Sequence, residues 1–247
     1  MLERLDYLRI APGRILDAGS GTSREAPELR RRFRGARIIA LDFALGMLQQ
    51  ARKRRRLLLR SAVLPVCGDL ARIPLADSSI DLAWCNMALH WATDPAPVIR
   101  ELSRVLAPEG LVIFSALGPD SLKELRAAAG TARVHEFIDM HDLGDLLVAA
   151  GLAAPVMEME MLHIRYSDAG ALLEDLRRSG QTSARADRPR GLSGRGFAQR
   201  LRAGLSTDAG VAITATFELV YGHAWKVPPR AAQEGRGIVQ FHPRSLR

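Results

Sequence analysis

Read for hydrophobic and polar positions, the first half of the chain alternates short apolar runs with amphipathic segments. Residues 14–17 (RILD) predict a strand running into a glycine turn, and 25–34 a helix. Residues 37–41 (RIIAL) predict a second strand, ending at Asp42, and 46–60 a basic helix. A third strand is expected over 62–67, ending at Gly68-Asp69, and a fourth over 79–85. A helix over 97–106 then leads through Pro108-Glu109-Gly110 into a fifth strand over 111–116. Strands that are apolar throughout are buried on both faces, as in a parallel sheet with helices on either side.

The second half changes period. Residues 142–150 predict a helix stopped at Gly151. Met157, Met159 and Met161 alternate with Glu158 and Glu160, which marks a strand with one wet face. Residues 213–221 alternate likewise, and the two are expected to pair antiparallel at the sheet edge. Between them, 168–180 reads as helix and 185–196, rich in Gly, Arg and Pro, as loop. The predicted class is therefore α/β: a Rossmann-like doubly wound sheet, mostly parallel with an antiparallel edge pair. A single domain is expected over 1–226, with a substrate-facing insertion near 168–208 and an irregular tail over 227–247.

Composition narrows the function classes. Of 247 residues, 47% are hydrophobic, enough for one sizeable core. No apolar run reaches the roughly eighteen residues of a membrane helix, and the charged start Met1-Leu2-Glu3-Arg4 has no signal-peptide core. Cys67 and Cys85, with no CxxC pair, suggest reduced thiols in a cytoplasmic protein and no zinc or other metal. The net charge of +8 admits a polyanionic partner. It equally admits a bias towards arginine, since Lys53, Lys123 and Lys226 are the only lysines. No helix-turn-helix, zinc or RNP-type signature accompanies the charge, so nucleic acid is not the expected partner.

Candidate chemistry concentrates in Leu16-Asp17-Ala18-Gly19-Ser20-Gly21-Thr22-Ser23, which follows a strand and opens a helix. Gly19 and Gly21 allow a sharp turn and close approach to a ligand. A dinucleotide fingerprint needs a third glycine where this chain has Arg24. Asp17 precedes the loop, and a carboxylate there suits a cationic ligand better than a phosphate. S-adenosylmethionine, with an ammonium and a sulfonium, meets that description. Asp42, at the second strand end, is placed to accept ribose hydroxyls. Asp69, after the third strand, can accept from an adenine amine, with Leu70 and Ala71 packing nearby. Acids at three consecutive strand ends point to one cofactor site.

Three segments, 16–22, 40–48 (ALDFALGML) and 68–82 (GDLARIPLADSSIDL), resemble class I methyltransferases. The run 83–91 (AWCNMALHW) is similar to the malonyl-acyl-carrier-protein O-methyltransferases of biotin synthesis. So are 137–147 (FIDMHDLGDLL), 190–195 (RGLSGR) and 221–225 (YGHAW). The resemblance implies S-adenosylmethionine as cofactor, held by Asp17, Gly19, Gly21, Asp42, Phe43, Met47, Asp69, Leu70 and Asn86. It also implies an acidic acyl-carrier protein, or coenzyme A, bearing the malonyl group. The third small residue of the loop is Ser23 where the family has glycine. Family members also carry a further N-terminal segment with an aromatic-bearing helix over the cofactor. This chain begins near the first strand, so weakened cofactor binding and slow transfer are expected.

The implied acceptor is a carboxylate, already ionised at neutral pH. No general base is needed, and no catalytic residue stands out. A cation should orient the carboxylate, and a bidentate arginine is the natural choice. Arg190 is the leading candidate, with Arg165 and Arg133 behind it. His90, beside Trp91 near the fourth strand end, is a candidate for substrate contact. His135 and His141 match no metal-ligand spacing and are expected to pack or cap. The expected assembly is a monomer. Two other readings fit the same fold: a methyltransferase for another small acceptor, or a non-methylating assembly factor acting on a partner protein.

Overall fold

The computed structural model describes residues 1–58, 63–181, 191, 194–205 and 212–228, with backbone only for 53–58. The chain begins in a 3-10 helix, Leu2–Tyr7. It then alternates β1 (Arg14–Ala18), α1 (Ala26–Arg32), β2 (Arg37–Asp42), α2 (Leu45–Leu58), β3 (Val63–Cys67) and β4 (Ile80–Asn86). There follow α3 (Pro95–Val105), β5 (Leu106–Leu117), α4 (Lys123–Ala129), α5 (Met140–Ala149), β6 (Leu152–Tyr166), α6 (Ala169–Arg178), α7 (Arg195–Leu205) and β7 (Ile213–Lys226). The strands form one sheet in the order β3-β2-β1-β4-β5-β7-β6. β1 to β5 pair in parallel, and β7 lies antiparallel between β5 and β6. The expected α/β sheet with an antiparallel pair at its edge is what the chain forms.

Alternate residues of each strand feed opposite faces of the sheet, as the pleat requires. Leu16, Ala83 and Phe114 join α3 and α5 residues in one core cluster. Ile15, Ile38 and Trp84 pack in a second with Leu29 of α1 and Leu5 of the N-terminal 3-10 helix. Three helix starts are sharpened by side-chain caps: Asp94, Asp139 and Asp168 accept from the backbone N–H of Ala96, His141 and Ala171.

The antiparallel pair also builds the upper part of the molecule. β7 pairs with β5 only from Leu117↔Leu219 to Leu111↔Trp225, so its first residues run past the carboxyl end of β5. There β7 pairs with β6 alone, from Tyr166↔Ile213 to Met161↔Glu218. On this overhang stands a third cluster, in which Leu122, Leu172, Leu176, Leu201 and Leu205 pack against Ile213 and Ala215. The described helices between β6 and β7, part of the expected insertion, thus lie at the carboxyl edge, where open α/β sheets bind ligands.

Several expectations need correction. The helix expected over 97–106 begins two residues earlier, at Pro95. The alternating strands are longer than the pattern showed, and β6 carries a bulge between Ala153 and Val156. The apolar side of β6 is not uniformly buried: the core takes in Met157, whereas Met159 and Met161 are exposed. Two helices were not foreseen. α4 starts after Leu122, itself in the left-handed region at φ 55°. α7 begins inside the stretch read as loop, anchored by Leu201 and Leu205. The remainder of that loop from 185 to 190, and the tail beyond 228, lie outside the described residues. Among the described residues no helix is long and apolar enough to cross a membrane.

Candidate active site

The glycine loop is folded back on its own sheet. Gly19 and Ser20 both donate backbone N–H to the Leu41 carbonyl, at 2.8 and 2.9 Å. Gly19 sits at φ +73°, and a Cβ there would lie 2.3 Å from Cβ of Ala88. Glycine is therefore required twice over, by conformation and by space. Gly21, at φ +52°, has nothing within 4 Å of where a Cβ would sit. Its N–H donates to Oδ2 of Asp42 at 2.8 Å, while Oδ1 of Asp42 accepts from Ala44 N–H at 2.8 Å. Asp42 thus ties the loop after β1 to the start of α2.

Asp17 is the unusual group. It is buried at the end of β1, and its Oδ2 has no hydrogen-bond partner among the described residues. Burial, then the charges of Glu25 and Asp42, push its carboxyl up to about 8. Glu25, just before α1, was not among the sequence candidates. The amide of Asn86 donates to it at 3.3 Å, and the amide oxygen of Asn86 accepts from the Ser115 hydroxyl at 2.7 Å. A clue was available, since a carboxylate four residues past Gly21 at a helix start serves no phosphate. Glu25 and Asp42 give the loop a negative lining, and the buried Asp17 oxygen without a donor favours a cationic ligand.

The other cofactor candidates surround this loop. Phe43 and Met47 follow β2 and are exposed. Leu70 is half-buried, with a methyl 3.7 Å from the virtual Cβ of Gly19. Asp69 lies two residues past the end of β3, is exposed, and accepts from Ala71 N–H at 2.9 Å. An apolar shelf beside acids at the ends of β1 and β2 suits an adenosine carrying a cationic arm.

The substrate candidates separate. His90 lies in the 3-10 helix Leu89–Trp91 and is buried, and neither ring nitrogen has a partner among the described residues. Burial, and then the nearby charge of His135, lower it to about 4. The rings of Trp91 and Phe137 flank it at 5.5 and 5.9 Å, and Nε2 of His135 lies 3.0 Å from its carbonyl oxygen. Arg133 lines the same cavity, with its guanidinium 4.1 Å from the Phe197 ring centre of α7. The fold thus brings Arg133 and His90 together and leaves Arg165 exposed on the edge strand β6. Arg190 lies outside the described residues. His141 is exposed and its backbone N–H is capped by Asp139. Among the described residues no cluster of His, Cys, Asp and Glu has the arrangement of a metal site.

Comparisons with known proteins identify the family and the fold. A methyltransferase-domain family matches residues 16–114. A curated protein of Methylovorus sp. (strain MP688), named malonyl-acyl-carrier-protein O-methyltransferase, is 46% identical over 99% of this chain and 86% of its own length. The chain belongs to this family. Another member, from Laribacter hongkongensis, is 45% identical over 98% of this chain and 86% of its own length. Solved structures share the fold at low identity. One is phosphoethanolamine N-methyltransferase 2 of Haemonchus contortus in complex with S-adenosyl-L-methionine, with a TM-score of 0.59 and 16% identity over 91% of this chain and 51% of that one. The YcgJ protein of Bacillus subtilis gives a TM-score of 0.69 at 17% identity, covering 92% and 97%. Family and fold together make the protein an S-adenosylmethionine-dependent O-methyltransferase.

Proposed function

We propose that this family member methylates the free carboxylate of a malonyl thioester borne by an acyl-carrier protein, an early step of biotin synthesis. Near-full-length identity to relatives bearing that name carries the reading. When bound, the cofactor supplies an electrophilic methyl: the new O–C bond forms as the S–C bond breaks, and the electron pair stays on sulfur.

The residues divide the remaining work. Asp17 and Glu25 balance the cationic arm of the cofactor, and Asp42 accepts from its ribose hydroxyls while holding Gly21. Phe43, Met47 and Leu70 offer an apolar surface to the adenine, Asp69 accepts from its amine, and Asn86 holds Glu25 in place. The acceptor carboxylate is ionised at neutral pH, so the protein needs to bind, orient and exclude water rather than move a proton. Arg133 is the favoured cation for the carboxylate because it lines the cavity beside His90. Arg190 and Arg165 are its rivals.

An acidic carrier protein approaching a chain of net charge +8 gains in encounter rate. The same reading takes residues 1–226 as one domain with a substrate-facing insertion, working as a cytoplasmic monomer with no nucleic-acid or membrane partner. The test is direct: incubate the purified chain with methyl-labelled cofactor and malonyl-acyl-carrier protein or malonyl-coenzyme A. Mass spectrometry should find one methyl ester per malonyl group. Labelling of another carboxylate, with neither malonyl thioester modified, would overturn the reading.

A further inference from the structure

The cavity under the upper cluster holds a group that the cofactor chemistry does not use. His90 is nineteen-twentieths buried, and no donor or acceptor among the described residues meets either ring nitrogen. Leaving a buried imidazole unpaired costs free energy, so the arrangement calls for an external partner. The wall around it holds Trp91, Leu122, Leu125, Val134, Phe137 and Arg133. The space is about 40 Å³, room for roughly three water-sized groups. That accommodates a carboxylate.

The chain links the cavity to the cofactor loop. Ala88, which presses on Gly19, is two residues before His90. A group seated against His90 is therefore held one short turn of chain from the loop that binds the methyl donor.

The two histidines differ in what they can offer. Nε2 of His135 faces the carbonyl oxygen of His90, which can only accept, so His135 carries its proton on Nε2. His90 has no such tie and can present an N–H to whatever enters. Arg133 supplies one full positive charge to match one carboxylate. A neutral imidazole adds direction without a second charge, which would grip the acceptor oxygens and blunt them as nucleophiles.

We infer that His90 is a specificity-determining residue, a neutral N–H donor that seats the small terminal carboxylate of the acceptor beside Arg133. This deepens the malonyl reading and rests on it for the identity of the full substrate. It explains how acid is told from ester: a methylated carboxyl loses its charge towards Arg133.

The probe is malonate, titrated against protein saturated with S-adenosylhomocysteine, with dimethyl malonate in parallel and cofactor affinity measured separately. Wild type should bind malonate at least about tenfold more tightly than the dimethyl ester, which has no free carboxylate. His90→Leu should lose about tenfold or more in malonate affinity, with cofactor affinity unchanged within twofold. His90→Gln, which restores an N–H donor, should recover most of the loss. Equal malonate affinity in wild type and His90→Leu overturns the proposal. So does a His90→Gln protein as weak as His90→Leu, because packing alone would then explain the site. If malonate binding follows the expected order while no malonyl thioester is methylated, the seat stands and the reading of the full substrate falls.

Discussion

Asp17 gives the sharpest quantitative expectation. Its carboxyl titrates at about 8 in the free protein, because burial and the neighbouring Glu25 and Asp42 oppose its charge. At pH 7 it is then ionised in roughly one molecule in ten. A cationic ligand binds the ionised form, so binding must drive off a proton. Apparent affinity is reduced by the fraction that is competent. Between pH 6 and pH 8 that fraction rises about fifty-fold, equivalent to about 2.3 kcal/mol. Calorimetric titration with S-adenosylhomocysteine, which keeps the ammonium, reads both quantities. The dissociation constant should fall steeply across this range and flatten above it. At pH 7, buffers of different ionisation enthalpy should report close to one proton released per ligand bound. The amino group of the ligand titrates identically against any variant, so Asp17→Asn isolates the effect: its affinity should be lower and its slope over the same range shallow. A wild-type affinity independent of pH from 6 to 8, or an Asp17→Asn protein with an unchanged slope, would refute the assignment of the proton to this carboxyl.

Further expectations follow from the same geometry. The unfolded chain ionises Asp17 near 3.8 and the folded one near 8, so between those values the native state holds more protons and its stability falls as pH rises. Thermal melts of the free protein should show this group's contribution as a loss between pH 5 and 8 that Asp17→Asn abolishes. Asp42→Ala frees the N–H groups of Gly21 and Ala44 and removes charge-assisted bonds to ribose worth about 1.5–3 kcal/mol each. Cofactor affinity should drop at least about tenfold, and unchanged affinity in a folded variant rules the role out. Gly19→Ala places a methyl 2.3 Å from the Ala88 Cβ at a left-handed backbone position, so the melting temperature should fall and cofactor binding should be lost. Arg133→Ala should slow malonyl-thioester methylation sharply while leaving cofactor affinity within about twofold. Unimpaired turnover would move the orienting role to Arg190 or Arg165.

Much of this protein is legible in the order of its residues, for a local reason. The buried parts of β1, β2, β4 and β5 are mainly apolar runs, because a parallel sheet covered on both faces leaves no wet side. The glycines and Asp17 and Asp42 fall at the ends of those runs, because the loop must turn just where β1 stops. The glycine loop and its acids could therefore be located by counting along the chain. Elements held by distant partners could not. α7 reads as loop from its glycines and arginines, and is held by Leu201 and Leu205 packing under the overhang of β7. The exposure of Met159 and Met161 depends on how far the core extends along β6, which alternation does not report. The acceptor end was the least legible. Arg133, Arg165 and Arg190 look alike in sequence, since an arginine acquires a role only from what stands opposite it. Folding sets Arg133 in one cavity with His90, puts Arg165 on an edge strand, and adds Glu25 to the acids at the loop. The short-range pattern determined the sheet and the glycine loop with its acids at the strand ends. Only the packing of the upper cluster onto the carboxyl edge decided which charged and polar groups could act together, because that proximity joins residues far apart in the chain.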